Sequence, residues 1–229
     1  MNTKSKTIGI LGGMGPQASV YLYKLLIDIS VSDFGARRND EYPEILLYSV
    51  PVPDFISDSG NKSAVLEMLK DRTDKLKLAG VGFGGIACNT AHVLLPDLEK
   101  HSGLRFVSVV NEVAREVKEE RVGLLGTPST INSMIYEVAL NKHKIEAILP
   151  SAKQITLLEC VIRRILGGEL TEGDRKTLST ITDDLVRRGA EAIIVGCTEL
   201  PLVFPRSCKV PVYNSSEILA RALLRNYYD

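Results

Sequence analysis

Strand-like and helix-like runs that alternate, a turn that recurs in both halves, and two matched cysteine stretches predict an α/β protein. The predicted architecture is two pseudo-symmetric, doubly wound parallel-sheet domains with the active site in the cleft between them. Alternation implies parallel sheets, and such sheets bind ligands beyond the carboxyl ends of their strands. With 229 residues, 45% hydrophobic and 24% charged, the chain can bury a good core and approaches the size at which cores divide.

Residues 7–12 read as a buried strand ending in glycine, and Gly13-Met14-Gly15-Pro16 as a turn whose proline suits the first position of a helix reaching about Ser32. Residues 34–42 are polar and loop-like, a candidate site wall ahead of a strand at 45–48. Residues 51–60, with Pro51, Pro53, Ser57, Ser59 and Gly60, form an irregular stretch of the kind that lids a pocket or crosses a subunit interface. A charged amphipathic helix at 64–78 stops at Gly80, and a glycine-rich strand at 81–87 delivers Cys88. Asn89 is expected to cap the next helix, which ends near Lys100. A strand at 106–109 and a polar helix at 112–120 lead into the second half.

Residues 121–130 repeat the opening in kind: strand, glycine, turn, proline, helix start. Strands at 146–149 and 192–196 and helices at 154–166 and 172–188 follow. A strand at 210–213 and a helix at 215–225 close the chain and are expected to return to the first half. That divides the chain into a first domain of residues 1–115 plus about 210–229, carrying Cys88, and a second of about 116–209, carrying Cys197. Two offsets support the duplication, since Gly9 superposes on Gly123 with a shift of 114 and Cys88 on Cys197 with a shift of 109. Gly80 and Gly189 each stand eight positions before their cysteine.

Twenty-eight basic and twenty-eight acidic residues cancel, and no Lys/Arg run is interleaved with aromatics, which argues against nucleic-acid binding. Expected partners are a small molecule and the chain itself. No run long enough for a membrane span or a signal-peptide core precedes the first strand, so a cytoplasmic protein with reduced thiols is expected. Four cysteines without a Cys-x-x-Cys pair and three scattered histidines suggest neither a zinc site nor a redox pair. The Gly9-x-x-Gly12-Gly13-x-Gly15 spacing departs from the dinucleotide pattern, and no acidic residue ends the second strand to meet a ribose.

Cys160 and Cys208 read as small buried core residues. Cys88 and Cys197 differ, because each ends a strand and precedes a helix start whose N–H groups are expected to lower the thiol pKa. Two such thiols suit deprotonation at a carbon next to a carboxylate, with one taking the proton and the other returning one to the opposite face. His92, one helical turn beyond Cys88, either tunes the thiol or ties down a packed helix. Glu199 reads as a site wall rather than a base, since a carboxylate beside a thiolate raises its pKa.

Gly9-Ile10-Leu11-Gly12-Gly13-Met14-Gly15-Pro16, Cys88-Asn89-Thr90-Ala91-His92, Leu125-Gly126-Thr127 and Gly196-Cys197-Thr198-Glu199 together resemble the signatures of the aspartate/glutamate racemase family, aspartate racemase type. The resemblance implies a racemase without cofactor, working by a two-base mechanism through Cys88 and Cys197 in a cleft between two similar domains of a homodimer. It implies that Asn89, Thr90, Thr198 and the backbone at Glu199 hold the substrate α-carboxylate, with Met14 and Thr127 also in the pocket.

Arg38, in Arg38-Asn39-Asp40-Glu41-Tyr42-Pro43, matches the family's Arg-x-x-Glu-x-Pro grip on a distal carboxylate, with Arg37 as its neighbouring substitute. Two departures concern the same carboxylate. Ile165-Leu166-Gly167-Gly168 stands where many aspartate racemases carry a lysine, and Ser49 or Val50 replaces a common asparagine. The expected reaction is interconversion of L- and D-aspartate, with glutamate or broad specificity open. The rivals are a decarboxylase-like enzyme and a ligand-binding protein on the same fold.

Overall fold

The computed structural model describes residues 6–54, 57, 59–205 and 207–229. The first half runs β1 (Ile8–Gly12), α1 (Pro16–Ser32), β2 (Ile45–Ser49), α2 (Lys62–Leu78), β3 (Phe83–Ile86), α3 (Leu95–Ser102), β4 (Phe106–Val107) and α4 (Val109–Glu116). The second runs β5 (Arg121–Leu125), α5 (Pro128–Asn132), α6 (Ile135–Asn141), β6 (Glu146–Ile148), α7 (Ala152–Gly167), α8 (Glu172–Arg187), β7 (Ala192–Val195), β8 (Val212–Asn214) and α9 (Ser215–Tyr228). Two parallel sheets result, ordered β2-β1-β3-β4 and β6-β5-β7-β8, with helices flanking both.

The register carries the duplication residue by residue. In the first sheet Gly9 faces Gly84 and Leu11 faces Ile86; in the second, Gly123 faces Ile193 and Leu125 faces Val195. Shifts of 114 for β1 and 109 for β3 turn the first set into the second. The inner strands are buried on both faces, as strands covered by helices on either side must be.

Ile8, Leu22, Leu26 and Leu223 pack in one core with Val122, Leu124 and Tyr136, so a shared layer of α1, α4, α6 and α9 joins the halves. Further cores lie under α2 and α3 and under α7 and α8. α9 packs chiefly on α1 and α4, while α4 also packs on α6. Each half therefore sends its last helix across to the other.

That exchange corrects the expected return of the chain's end. The final strand does not join the first sheet: Val212 pairs with Ile193 and Tyr213 with Ile194, placing β8 beside β7. Only α9 crosses, because its buried residues, Ile218, Leu219, Ala222 and Leu223 among them, complete the core around α1. The helix expected at 112–120 starts earlier, at Val109, where the Ser108 hydroxyl accepts the N–H of Asn111 as an N-cap.

Candidate active site

Four turns at the carboxyl ends of the inner strands meet. After β1, Gly13 adopts φ +88° and passes so close to Val50 that an added Cβ would lie 2.4 Å from its backbone nitrogen. Glycine alone fits both conditions. The Met14–Gly15 peptide is cis, and the Gly15 N–H donates to Glu199 Oε1 at 3.1 Å across the cleft. An added Cβ on Gly15 would meet Leu166 at 2.3 Å and Glu199 at 2.7 Å. The glycine turn therefore admits two side chains of the second half.

Beyond β3, Cys88 leads into a 3-10 helix, Thr90–Leu94, rather than directly into an α-helix. Asn89 holds the N-cap position, as expected, but its side chain makes no cap hydrogen bond. Its Nδ2 donates to Ser215 Oγ at 3.0 Å and its Oδ1 accepts the Tyr136 hydroxyl at 2.5 Å, so the side chain ties the first half to α6 and α9. His92 is structural in the same way: Nδ1 meets the Cys88 carbonyl at 2.8 Å and Nε2 accepts the Val109 N–H at 3.2 Å. Both ring nitrogens are thus committed to backbone, which assigns the proton to Nδ1. Burial pushes the His92 pKa down to about 4.

Past β5, the Thr127 hydroxyl caps α5 through the Thr130 N–H at 3.0 Å. The hydroxyls of Thr90, Thr127 and Thr130 stand 2.9 Å from one another, a ring of donors and acceptors shared by the two halves. After β7, Cys197 precedes Thr198, Glu199 and a short 3-10 helix, Leu200–Leu202. The Cys197 thiol donates to Glu199 Oε2 at 3.3 Å, and the Thr198 hydroxyl donates to the same oxygen at 3.1 Å.

These turns enclose a cavity of about 210 Å³. Met14, Cys88, Asn89, Thr90, Thr127, Cys197, Thr198 and Glu199, all expected in the site, line it together. Val52, Pro53 and Asp54 come from the irregular stretch after β2, of which Phe55, Ile56 and Asp58 lie outside the described residues. Leu166 reaches in from α7 where a lysine stands in many aspartate racemases. The charged side chains on the described wall are Asp54 and Glu199, both acidic.

Arg38 is not among the lining residues. It follows α1, whose 17 residues carry the chain about 25 Å away from the glycine turn, toward the opposite ends of the strands. Its guanidinium lies exposed against Asp40 at 2.9 Å and Glu41 at 3.5 Å. Arg37 is turned onto the carbonyls of Val31 and Ala36. The loop pattern predicted the grip, and helix length removed it from this cavity.

The cationic residue that sequence inspection missed is Arg163, one turn before Leu166 on α7. It bridges to Asp54 at 2.8 Å and to Glu159 at 2.9 Å, and holds Ser57 as well, fastening the stretch after β2 to the second half. Nothing in its local sequence marks it, because its partner Asp54 lies more than a hundred positions away. Cys160 corrects another expectation: it is exposed, since α7 buries the face carrying Leu158, Val161, Ile162 and Ile165.

The thiol electrostatics run against the expected direction. Burial pushes Cys88 up to about 12, with the Glu199 charge adding, while N–H groups of Ala91 and Thr90 and the Thr90 hydroxyl pull it back only in part. Burial likewise raises Cys197 well above its ordinary value, with Glu199 again the next cause. Glu199 is itself raised by burial, opposed by the Gly15 N–H, Cys197 and Thr198. Backbone donors at the turns are present, but loss of water outweighs them.

A duplicated α/β fold thus delivers two buried thiols from equivalent turns into one cavity. The chain belongs to the Asp/Glu/Hydantoin racemase family, whose model matches residues 11–223, and racemases are isomerases. It is 28% identical over 225 residues to the broad specificity amino-acid racemase RacX of Bacillus subtilis (strain 168), covering 96% of this chain and 97% of that one. An aspartate racemase homologue from Pyrococcus horikoshii OT3 superposes with a TM-score of 0.81 at 28% identity, covering 98% of this chain and all of the other. Picrophilus torridus aspartate racemase superposes at 0.82 and 26% identity, with 98% and 95% covered. Among the described residues no helix is long and apolar enough to cross a membrane.

Proposed function

We propose that the protein inverts the α-carbon of free amino acids without a cofactor, by proton transfer between Cys88 and Cys197. One observation carries this: two buried thiols, from positions that the duplication makes equivalent, line the same cavity. Each thiol serves one face of the substrate. One removes the Cα proton while the other donates its own proton to the opposite face, and the roles reverse for the mirror-image substrate.

The planar intermediate places negative charge on the α-carboxylate oxygens. The Thr90 hydroxyl, free to turn from its threonine partners, and backbone N–H groups at the two cysteine turns are the donors that meet it, while the Thr127 and Thr198 hydroxyls already donate to Thr130 and Glu199. Asn89 contributes by position rather than by its side-chain amide, whose two ends are occupied by Ser215 and Tyr136.

We propose a broad substrate range rather than aspartate alone. Met14, Pro16, Val52, Pro53 and Leu166 supply apolar wall, and the charged lining residues are carboxylates. A side-chain carboxylate gains no fixed cation there, so uncharged side chains bind at least as well. The broad specificity of RacX agrees with this wall. Aspartate stays within the range, with the Arg163 guanidinium, paired to the cavity residue Asp54, available when Asp54 releases it.

The deciding experiment incubates the protein separately with L-aspartate, L-glutamate and several neutral L-amino acids in deuterated water, following Cα deuterium and the D-enantiomer. Inversion of neutral substrates at least as fast as aspartate is expected. Absence of both exchange and inversion for every amino acid sinks the racemase assignment, and inversion confined to aspartate sinks the breadth. The enzyme is proposed to act in the cytoplasm with its four cysteines free, as a homodimer joined through exposed apolar residues such as Leu46 and Leu47 on β2 and Val20 and Tyr23 on α1. A monomer mass by light scattering removes the dimer.

A further inference from the structure

A second cavity, of about 200 Å³, adjoins the catalytic one and meets it at Thr90, which lines both. Like the first it lies between the halves, with Lys62, Thr90 and Val93 on one side and Ser129, Asn132 and Ser133 on the other. Its wall differs in kind. The catalytic cavity has an apolar wall and two carboxylates, whereas here Val93 is the one apolar residue of the described lining, Lys62 brings a positive charge, and no described lining residue is acidic.

Three donors of this wall are uncommitted. Among the described residues neither the Lys62 ammonium nor the Asn132 amide has an ion pair or a hydrogen bond, and Ser129 Oγ is out of contact with water without a partner. Ser129 and Asn132 stand three positions apart on α5, which puts them on one side of its turn. α2 begins at Lys62 with no side-chain cap over its first N–H groups, so the positive end of a 17-residue helix adds to the ammonium. The other hydroxyls are spent: Ser57 donates to Glu159, and Ser133 to the Thr130 carbonyl. An ammonium, an amide and a hydroxyl that share one cavity, all without acceptors, match the oxygens of an anion.

We propose that this cavity binds a small oxyanion, carboxylate or phosphate, through Lys62, Ser129 and Asn132, and that the bound anion slows racemisation through Thr90. The site stands on its own residues; its effect on turnover rests on the racemase function proposed above. The anion is a molecule separate from the substrate, because the part of the substrate assigned to Thr90 is its α-carboxylate and the side chain leads away from it.

Thr90 carries the coupling. Its hydroxyl and N–H face Cys88, and the same hydroxyl meets Thr127 and Thr130. A negative charge held behind Thr90 opposes the negative charge that the Cys88 thiolate and the planar intermediate develop in front of it. An anion that accepts the Thr90 hydroxyl also withdraws a donor from the catalytic cavity. Both effects disfavour proton removal.

Calorimetric titration with inorganic phosphate and with succinate tests the site, in the wild type and in Lys62→Gln and Asn132→Ala. Both residues are exposed, so the variants keep the fold. Saturable binding of at least one anion is expected, weakened about tenfold by Lys62→Gln, as loss of a charge-assisted hydrogen bond implies. The tighter anion names the oxyanion taken. Binding of neither anion, or binding equally tight in both variants, overturns the proposal. The coupling is read on Cys88 by iodoacetamide alkylation followed by peptide mass analysis, which needs no turnover. Bound anion should slow that alkylation about threefold in the wild type and leave it unchanged in Lys62→Gln; slowing that is equal in both places the anion in the catalytic cavity and overturns the proposal. The same anion should lower kcat at saturating substrate in the wild type alone, and inhibition that excess substrate abolishes overturns the coupling. Binding that depends on Lys62, with no inversion of any amino acid, counts against the racemase function and leaves the anion site standing.

Discussion

The carboxylate of Glu199, in the second half, accepts the backbone N–H of Gly15, in the first, at 3.1 Å and out of contact with water. This bond spans the cleft beside both thiols. It exists because Gly15 has no side chain, and because Glu199 follows the cysteine of the duplicated turn.

Gly15→Ala tests that contact. The new Cβ meets Leu166 and Glu199 inside van der Waals distance; Leu166 can swing aside, but Glu199 is also held by Cys197 and Thr198. The expected result is a drop in kcat/KM of at least 100-fold with a stability loss of about 1–3 kcal/mol, the usual range for overpacking. Steady-state kinetics and thermal unfolding measure both, and wild-type kinetics would show that the contact is dispensable.

Leu166→Lys tests the apolar wall. An ammonium at the cavity supplies the cation that the lining lacks. The ratio of kcat/KM for aspartate over alanine should rise about tenfold, equivalent to ~1.4 kcal/mol. A ratio that stays level or falls would show that substrate side chains do not approach this wall.

Tyr136→Phe tests the tie between halves. The phenol is fully buried and donates to Asn89 Oδ1. Its loss leaves a buried carbonyl without that donor, at a cost of about 1–3 kcal/mol. The denaturant midpoint should fall with an unchanged m-value, whereas an unchanged midpoint would show that the amide finds another partner.

Asp174 and His92 predict two acid windows. Arg164, then the Thr171 hydroxyl and N–H, hold the Asp174 carboxyl down at about 2 from an ordinary 3.8, against the opposing effect of desolvation. A depressed carboxylate contributes stability that is complete above its unfolded value and is lost as pH falls toward the folded one, here from 3.8 to about 2. Buried His92, lowered from 6.5 to about 4, acts in the same direction at higher pH: the unfolded chain takes up the proton first, so stability falls between 6.5 and about 4. Asp174→Asn should remove the lower window and, as the capping box of α8 weakens, cost about 1–2 kcal/mol near neutral pH. Unfolding free energy measured against pH checks both, and a profile flat between 6.5 and 4 contradicts the role given to His92.

Much of the fold was legible because its determinants are local. Apolar runs such as 192–195 name buried strands, Pro16 and Pro128 mark helix starts, and Ser151 and Thr171 cap α7 and α8 within their own turns. The two offsets even specified the strand register, since parallel pairing in one half had to be copied in the other. The final strand could not be placed this way: a short strand's partner depends on which sheet edge is open when it arrives.

In the site, the sequence by itself located the turns that meet at the cavity and showed Cys88 and Cys197 to be equivalent positions. Only tertiary structure decided what surrounds them. Arg38 lost its expected place to the length of α1, Arg163 came to the cavity edge through a partner far along the chain, and Leu166 and Glu199 met Gly15 only when the halves closed. The thiol pKa values moved up rather than down for the same reason. Spacing along the chain reports the backbone donors at a turn, whereas the water a thiol loses and the carboxylate it gains are set by residues that folding brings from elsewhere.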